Sequence, residues 1–143
     1  MQNSLIARGP ELAAVERLLT RATTELAGLV MEGEPGIGKT TLWEAALATA
    51  PGRGYHVLSA QPARSESKLP LGVYGDLFST VAPSAIQQLP SPQRDAFEVA
   101  MLRADPRGLA AGQRGLSVAT TTLLRAISQT TPVVIAIDDA QWL

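Results

Sequence analysis

The protein is a chain of 143 residues with a net charge of −1, 45% hydrophobic residues and 17% charged residues. Its 12 Gly and 10 Pro follow no repeat, so the composition excludes a collagen-like chain and an unfolded polar chain. The lack of Cys excludes disulfides and cysteine-based metal sites, and the near balance of acids and bases argues against nucleic-acid binding by these residues.

The first part of the sequence predicts two helices and two strands in alternation. Apolar residues recur with helical spacing over residues 10–22, which indicates a helix. The apolar run 26–31 leads into a glycine-rich turn, a pattern typical of a buried strand. Good helix formers follow over residues 39–50, and residues 55–60 predict a second strand.

The remainder of the sequence continues the alternation and ends in the most strand-like segment of the chain. Alternating helices and strands favour an α/β fold with a mainly parallel sheet that helices cover on both faces. In order, the segments predict a loop (61–70), a helix (71–82), a helix (91–102), a loop (103–112), a helix (113–130) and a strand (133–137).

Residues 33–40 match the phosphate-binding (Walker A) pattern G-x-x-x-x-G-K-[ST] between a predicted strand and a predicted helix. Glycines let backbone N–H groups turn toward phosphates, and the helix N-terminus adds partial positive charge. Lys39 is predicted to contact the β- and γ-phosphates as a catalytic residue, and Thr40 to bind Mg²⁺. The alternative is a glycine-rich turn with an exposed lysine. The candidate nucleotide-binding residues here are Gly33, Glu34, Pro35, Gly36, Ile37, Gly38, Lys39, Thr40 and Thr41.

Two carboxylates, Asp138 and Asp139, directly follow the strand 133–137 and complete a Walker B pattern over 133–139. Open α/β sheets bind ligands at the carboxyl ends of their strands, so Asp138 is predicted to hold Mg²⁺ or its water. Asp139 is predicted to act as a general base on the attacking water. The alternative is a solvated turn or a helix N-cap. With the phosphate-binding pattern, the pair predicts Mg²⁺-dependent ATP binding with weak hydrolysis.

Several segments resemble the N-terminal ATPase core of the large ATP-binding regulators of the LuxR family, in the STAND branch of the AAA-like P-loop ATPases. These are residues 5–12, the phosphate-binding pattern and above all 137–143, and the likeness extends over the whole chain as one ATPase domain, 1–143. It implies a three-layer αβα P-loop fold and an ATP-switched transcriptional regulator whose C-terminal helix-turn-helix binds DNA. It also implies a nucleotide contact for Arg8, although the family's Gly-Arg-Glu reads Ala7-Arg8-Gly9 here.

In that family, the strand between the phosphate-loop strand and the acid strand comes later in the sequence than residue 143. We therefore expect a fragment that ends after the Walker B strand, with an incomplete sheet whose unpaired edges favour self-association. No arginine finger is identifiable, so we expect this chain alone to bind ATP weakly and to hydrolyse it slowly or not at all.

Two other functions stay open at this point. One is a non-catalytic module in which the nucleotide only stabilises an interaction surface, and the other is a small-molecule or nucleotide kinase, although residues 138–142 are not the usual acid motif of kinases. No apolar run approaches the roughly 20 residues of a membrane helix, and the N-terminus lacks the basic region of a signal peptide. We expect no membrane partner and a cytoplasmic location.

Overall fold

The computed structural model describes residues 8–63, 72–101 and 113–142. They belong to two compact units, one ending at His56 and the other beginning at Val57, and each is described by itself. Among these residues, no helix combines the length and the apolar character needed to cross a membrane.

The first unit is built on two helices, α1 (Gly9–Arg21) and α2 (Lys39–Thr49), which pack against each other. Pro10 in the first turn of α1 suits a position that needs no N–H donor, and both helices agree with the predicted ranges. Leu19 of α1 is buried, and its carbonyl accepts a hydrogen bond from the hydroxyl of buried Tyr55. A short 3-10 helix (Pro51–Arg53) follows α2.

The predicted buried strand over 26–31 is wrong. These residues have no strand assignment, and Leu26 and Val30 are 101% and 80% exposed. No backbone hydrogen bond joins them to any other residue in the described part of the chain. An apolar run shows that a segment can be buried, whereas a strand also needs a neighbouring backbone for its N–H and C=O groups.

The second unit contains a small parallel sheet of two paired strands, β1 (His56–Ala60) and β2 (Val133–Ile137). The N–H of Asp138 donates to the carbonyl of Ala60 at 3.1 Å, so the pairing continues one residue beyond β2. Both strands are confirmed. Mixed helices and a small parallel sheet are consistent with a partial αβα P-loop fold, which confirms the predicted fold class.

Four helices accompany the sheet in this unit: α3 (Gly72–Leu77), α4 (Pro83–Gln87), α5 (Ser91–Ala100) and α6 (Gln113–Ser128). The predicted helix 71–82 ends early at Leu77, and α4 was not predicted. Ala82 precedes a proline and has an extended backbone (φ −60°, ψ 135°), which breaks the helix before Pro83. Of the two predicted loops, residues 64–70 of the first (61–70) and all of the second (103–112) lie outside the described residues.

The hydrophobic core of the second unit lies around the packed helices α5 and α6 and includes β1. The rings of Phe78 and Phe97 are fully buried and meet edge to face, with centroids 5.0 Å apart. The core residues are Leu58, Phe78, Val81, Ile86, Leu89, Phe97, Ala100, Met101, Leu116, Ala119 and Leu123. Since β1 belongs to this core and pairs with β2, the core fixes where the acids after β2 lie.

Candidate functional site

The phosphate loop (residues 33–40) has the backbone conformation that its glycines permit. Gly36 and Gly38 have φ values of 80° and 93°, in the left-handed region that disfavours other residues. The loop is closed by a hydrogen bond from the Ile37 N–H to the Glu34 carbonyl at 3.3 Å. A Cβ on Gly33 would lie 3.1 Å from the Ile37 side chain. Glycine is therefore required at 36 and 38 by conformation and favoured at 33 by space.

Lys39 reaches back across the phosphate loop. Its ammonium Nζ donates to the carbonyls of Gly33 at 2.9 Å and Glu34 at 3.1 Å. The side chain is thus held on the loop, unlike the freely exposed lysine of the alternative interpretation. A cation held by carbonyl oxygens can exchange them for phosphate oxygens, because both are hydrogen-bond acceptors and the phosphate carries charge.

The N-terminus of α2 offers further donors. Gly38 is the N-cap and gives no side-chain cap, and the first helical hydrogen bond runs from Leu42 N–H to the Gly38 carbonyl at 3.1 Å. The N–H groups of Lys39, Thr40 and Thr41 consequently have no backbone partner among the described residues. Free N–H groups, a positive helix end and Lys39 together fit a polyphosphate. Thr40 is exposed and Thr41 is half-buried.

Arg8 lies against the phosphate loop. Its Nη2 donates to the carbonyl of Ile37, and a Cβ on Gly38 would lie 3.6 Å from the same nitrogen. Its Nη1 donates to Oε1 of Glu11 at 3.0 Å. The pKa of Glu11 is lowered, first by a backbone hydrogen bond at the start of α1 and then by the hydrogen bond from Arg8. Despite its altered flanking residues, Arg8 is placed beside the candidate nucleotide-binding residues.

The acid turn (residues 138–142) is held by its own carboxylates. Asp138 is buried, with 8% exposure, and its Oδ1 accepts from the N–H of Asp139 at 3.0 Å. Asp139 is exposed and has a φ of 48°, and its Oδ1 accepts from Nε2 of Gln141 at 2.8 Å. A short 3-10 helix (Ala140–Trp142) follows, with the Trp142 N–H donating to the Asp139 carbonyl at 3.0 Å. The two acids therefore lie in an ordered turn. A turn was also part of the alternative interpretation of Asp138 and Asp139, although that turn was expected to be solvated.

The predicted site residues fall into the two units. The first brings Arg8, the phosphate loop and Thr41 together, whereas Asp138 and Asp139 belong to the second. No group of three or more His, Cys, Asp or Glu side chains that could hold a metal occurs among the described residues. Thr40 offers a hydroxyl oxygen and Asp138 a carboxylate, and both are oxygen donors of the kind that Mg²⁺ binds.

Sequence reasoning missed two residues that contact this machinery. The sequence patterns gave neither Glu11 nor Gln141 a role in the site. The signal for Glu11 is its position three residues after Arg8, which places the two side chains on one face of the first turn of α1. Gln141 carries no comparable signal, because its contact depends on the left-handed backbone of Asp139.

Comparison with known proteins gives one match. A family profile described as "AAA ATPase domain" matches residues 4–143. No curated protein and no solved structure matches the chain. The matched range contains Arg8, the whole phosphate loop and the acid turn.

Proposed function

Because the chain belongs to the AAA ATPase domain family, whose members bind nucleotides, we propose that it is a Mg²⁺-dependent ATP-binding switch domain with weak ATPase activity. The observation that carries the proposal is the phosphate loop. Two left-handed glycines shape its backbone, Lys39 donates to its carbonyls, and the first N–H groups of α2 have no backbone partner within the described part of the chain. This combination suits a triphosphate and has no evident structural purpose of its own.

Each candidate residue has a proposed task. The N–H groups of the phosphate loop and Lys39 hold the phosphates, with Arg8 as a further cation beside the loop. Thr40 and Asp138 hold Mg²⁺, which when bound neutralises charge on the β- and γ-phosphate oxygens. Asp139 accepts a proton from the water that attacks the γ-phosphorus, as the bond to the β–γ bridging oxygen breaks.

Weak rather than fast hydrolysis fits the acid turn. The Oδ1 of Asp139 already accepts from Gln141, which leaves Oδ2 as the oxygen available to a water. We assign no arginine finger, so stabilisation of the developing charge is left to Mg²⁺, Lys39, Arg8 and the loop donors.

The cellular role in our proposal is that of the nucleotide switch of a LuxR-type transcriptional regulator acting in the cytoplasm. It is supported by the resemblance of residues 137–143 to that family's acid motif. The test is a reporter assay with the regulator that carries this domain, comparing wild type with Lys39→Ala. We expect the variant to lose its response to inducer, and a normal response in the variant would contradict this role.

The proposal extends to self-association through the incomplete sheet. It is supported by the exposure of Leu26 and Val30 in an apolar segment that has no backbone hydrogen-bond partner among the described residues. Sedimentation velocity over a range of concentrations tests it, with Val30→Lys as the comparison. We expect a concentration-dependent dimer that the substitution weakens, and a monomer at every concentration would contradict it.

Calorimetric titration with Mg·ATP tests the central proposal. We expect binding by the wild type and a loss of at least about tenfold in affinity in Lys39→Ala, because a charge-assisted phosphate contact is removed. Absence of binding, or equal affinity in the two proteins, would contradict the proposal.

Product analysis separates the three activities. Slow release of ADP above an enzyme-free blank, reduced in Asp139→Asn, supports ATP hydrolysis. Transfer of phosphate to an added acceptor, detected by mass spectrometry, would indicate a kinase instead. Binding without ADP release, unchanged in Asp139→Asn, would indicate a non-catalytic nucleotide-binding module.

A further inference from the structure

The guanidinium of Arg8 bridges two parts of the first unit. One nitrogen, Nη1, donates to Oε1 of Glu11 at 3.0 Å, and the other, Nη2, donates to the carbonyl of Ile37 in the phosphate loop. Arg8 is also the N-cap residue of α1, and its carbonyl accepts from the N–H of Leu12 at 2.9 Å. Both ends of the Arg8 residue are therefore fixed relative to α1.

The planar guanidinium of arginine links the directions of the two hydrogen bonds that Arg8 donates. The guanidinium is planar and its donors have a fixed fork geometry, so a carboxylate on one arm sets the direction of the other. Here the other arm points at the C-terminal end of the phosphate loop, next to Gly38. A long flexible side chain without such a partner would sample many rotamers.

The partly shielded setting distinguishes this ion pair from a freely solvated one. The side chain of Arg8 is 26% exposed and that of Glu11 is 40% exposed, whereas in the ion pair between Arg21, the last residue of α1, and Glu25 the side chains are 66% and 53% exposed. The pKa of Glu11 is lowered, by a backbone hydrogen bond first and then by Arg8, so its carboxylate is charged at neutral pH. Nothing in the proposed nucleotide site uses Glu11 directly.

We propose that Glu11 is a positioning residue that holds the Arg8 guanidinium on the phosphate loop, in place for the nucleotide phosphates. The inference depends on the proposed ATP binding and goes beyond it, because Glu11 acts through Arg8 and touches no nucleotide.

The competing explanation is that Glu11 only interacts favourably with the N-terminus of α1, as acids in a first helical turn do. That effect stabilises the helix and does not require Arg8. A double-mutant cycle separates the two explanations, because residues that act as one unit are not additive.

The experiment measures the Kd for Mg·ATP and the melting temperature without nucleotide, in the whole 143-residue chain. The variants are Glu11→Ala, Glu11→Gln, Arg8→Ala and the double variant Arg8→Ala/Glu11→Ala. Glu25→Ala is the matched control, because it breaks a glutamate–arginine ion pair at the C-terminal end of α1, opposite to the end that carries Arg8 and Glu11. Glu11→Gln keeps an oxygen acceptor with less effect on folding.

We expect Glu11→Ala to weaken ATP binding roughly three- to tenfold, with Glu11→Gln in between and Glu25→Ala unchanged. In the Arg8→Ala background, Glu11→Ala should cause no further loss. The proposal is overturned if Glu11→Ala binds as Glu25→Ala does, or if it causes the same loss with and without Arg8.

Failure of the underlying ATP-binding proposal has a different signature. In that case the wild type itself shows no binding, or Lys39→Ala binds as tightly as the wild type, and the role of Glu11 falls with it. When the wild type binds and Lys39→Ala does not, the cycle between Arg8 and Glu11 decides the positioning role alone.

Discussion

The phosphate loop and the acid turn both follow an apolar segment, but side chains of opposite charge stabilise their conformations. In the loop, left-handed glycines shape the backbone, and the cations Lys39 and Arg8 donate to its carbonyls. In the acid turn, the carboxylates of Asp138 and Asp139 accept from donors within the turn, and Asp138 is buried. The comparison suggests that changes in the loop act mainly on ligand affinity, whereas changes in the acid turn act first on stability.

The largest effect on ATP affinity is expected from a substitution that is incompatible with the backbone conformation of the phosphate loop. Gly38→Ala places a Cβ on a residue with φ 93°, a conformation that costs an L-residue about 1–2 kcal/mol. The loop should leave this conformation, and affinity for Mg·ATP should fall at least about tenfold in calorimetric titration. Gly52→Ala, at a position with open space and no positive φ, should bind normally. Normal binding by Gly38→Ala would show that the loop geometry is not needed.

The largest effect on stability is expected in the acid turn. Asp138→Ala removes a buried acceptor and leaves the Asp139 N–H without its partner, which should lower the free energy of unfolding by about 1–3 kcal/mol. Urea denaturation without nucleotide measures it. Glu34→Ala, in the exposed phosphate loop, should change this free energy by less than about 0.5 kcal/mol. Equal losses in the two variants would remove the contrast between the regions.

A smaller effect is expected at Asp139, where the backbone is left-handed. Asp and Asn tolerate a φ of 48° better than other non-glycine residues, and Asn also keeps an oxygen for Gln141. Asp139→Asn should therefore be within about 0.5 kcal/mol of the wild type, whereas Asp139→Ala should lose about 1 kcal/mol. Both values come from urea denaturation. An alanine variant as stable as the asparagine variant would contradict this account of the turn.

The smallest effect is a pH dependence that arises from Glu11. The pKa of Glu11 is lower in the folded chain, mainly because of a backbone hydrogen bond and then because of Arg8, so its charged form stabilises the fold. This stabilisation is present above the unfolded pKa and is lost as pH falls through the folded pKa. Between about pH 5 and about pH 3, the melting temperature of the wild type should fall slightly more than that of Glu11→Gln. If the melting temperatures of the two proteins fell equally with pH, this stabilising role of the Glu11 charge would be contradicted.

Two similar apolar runs were predicted to be buried strands, and only one of these predictions is correct. Residues 26–31 and 133–137 both have the composition of buried strands, yet only the second is a strand, because β1 lies beside it. Composition reports what a segment can bury, whereas pairing depends on residues far away in the chain. The same limit applies to α4, whose start is set by the backbone before Pro83.

The candidate site was predictable to the extent that it is local in sequence. Eight consecutive residues specify the phosphate loop, and its positive φ values are those that its glycines allow. The contact from Arg8 to Ile37 was not predictable from spacing, because it joins residues 29 positions apart, whereas the three-residue spacing of Arg8 and Glu11 is a local signal for their ion pair. The hydrogen bonds of the acid turn depend on the left-handed Asp139, which no local rule demands of an aspartate.

The central claim, that this chain binds ATP through its phosphate loop, is tested most directly by a thermal melt with and without Mg·ATP. A ligand that binds only the folded chain stabilises it by about 2.7 kcal/mol at a hundred times its Kd. We predict a rise of several degrees in the wild-type melting temperature that grows with ATP concentration and is abolished in Lys39→Ala. An unchanged melting temperature at millimolar ATP, or an equal rise in Lys39→Ala, would contradict the claim.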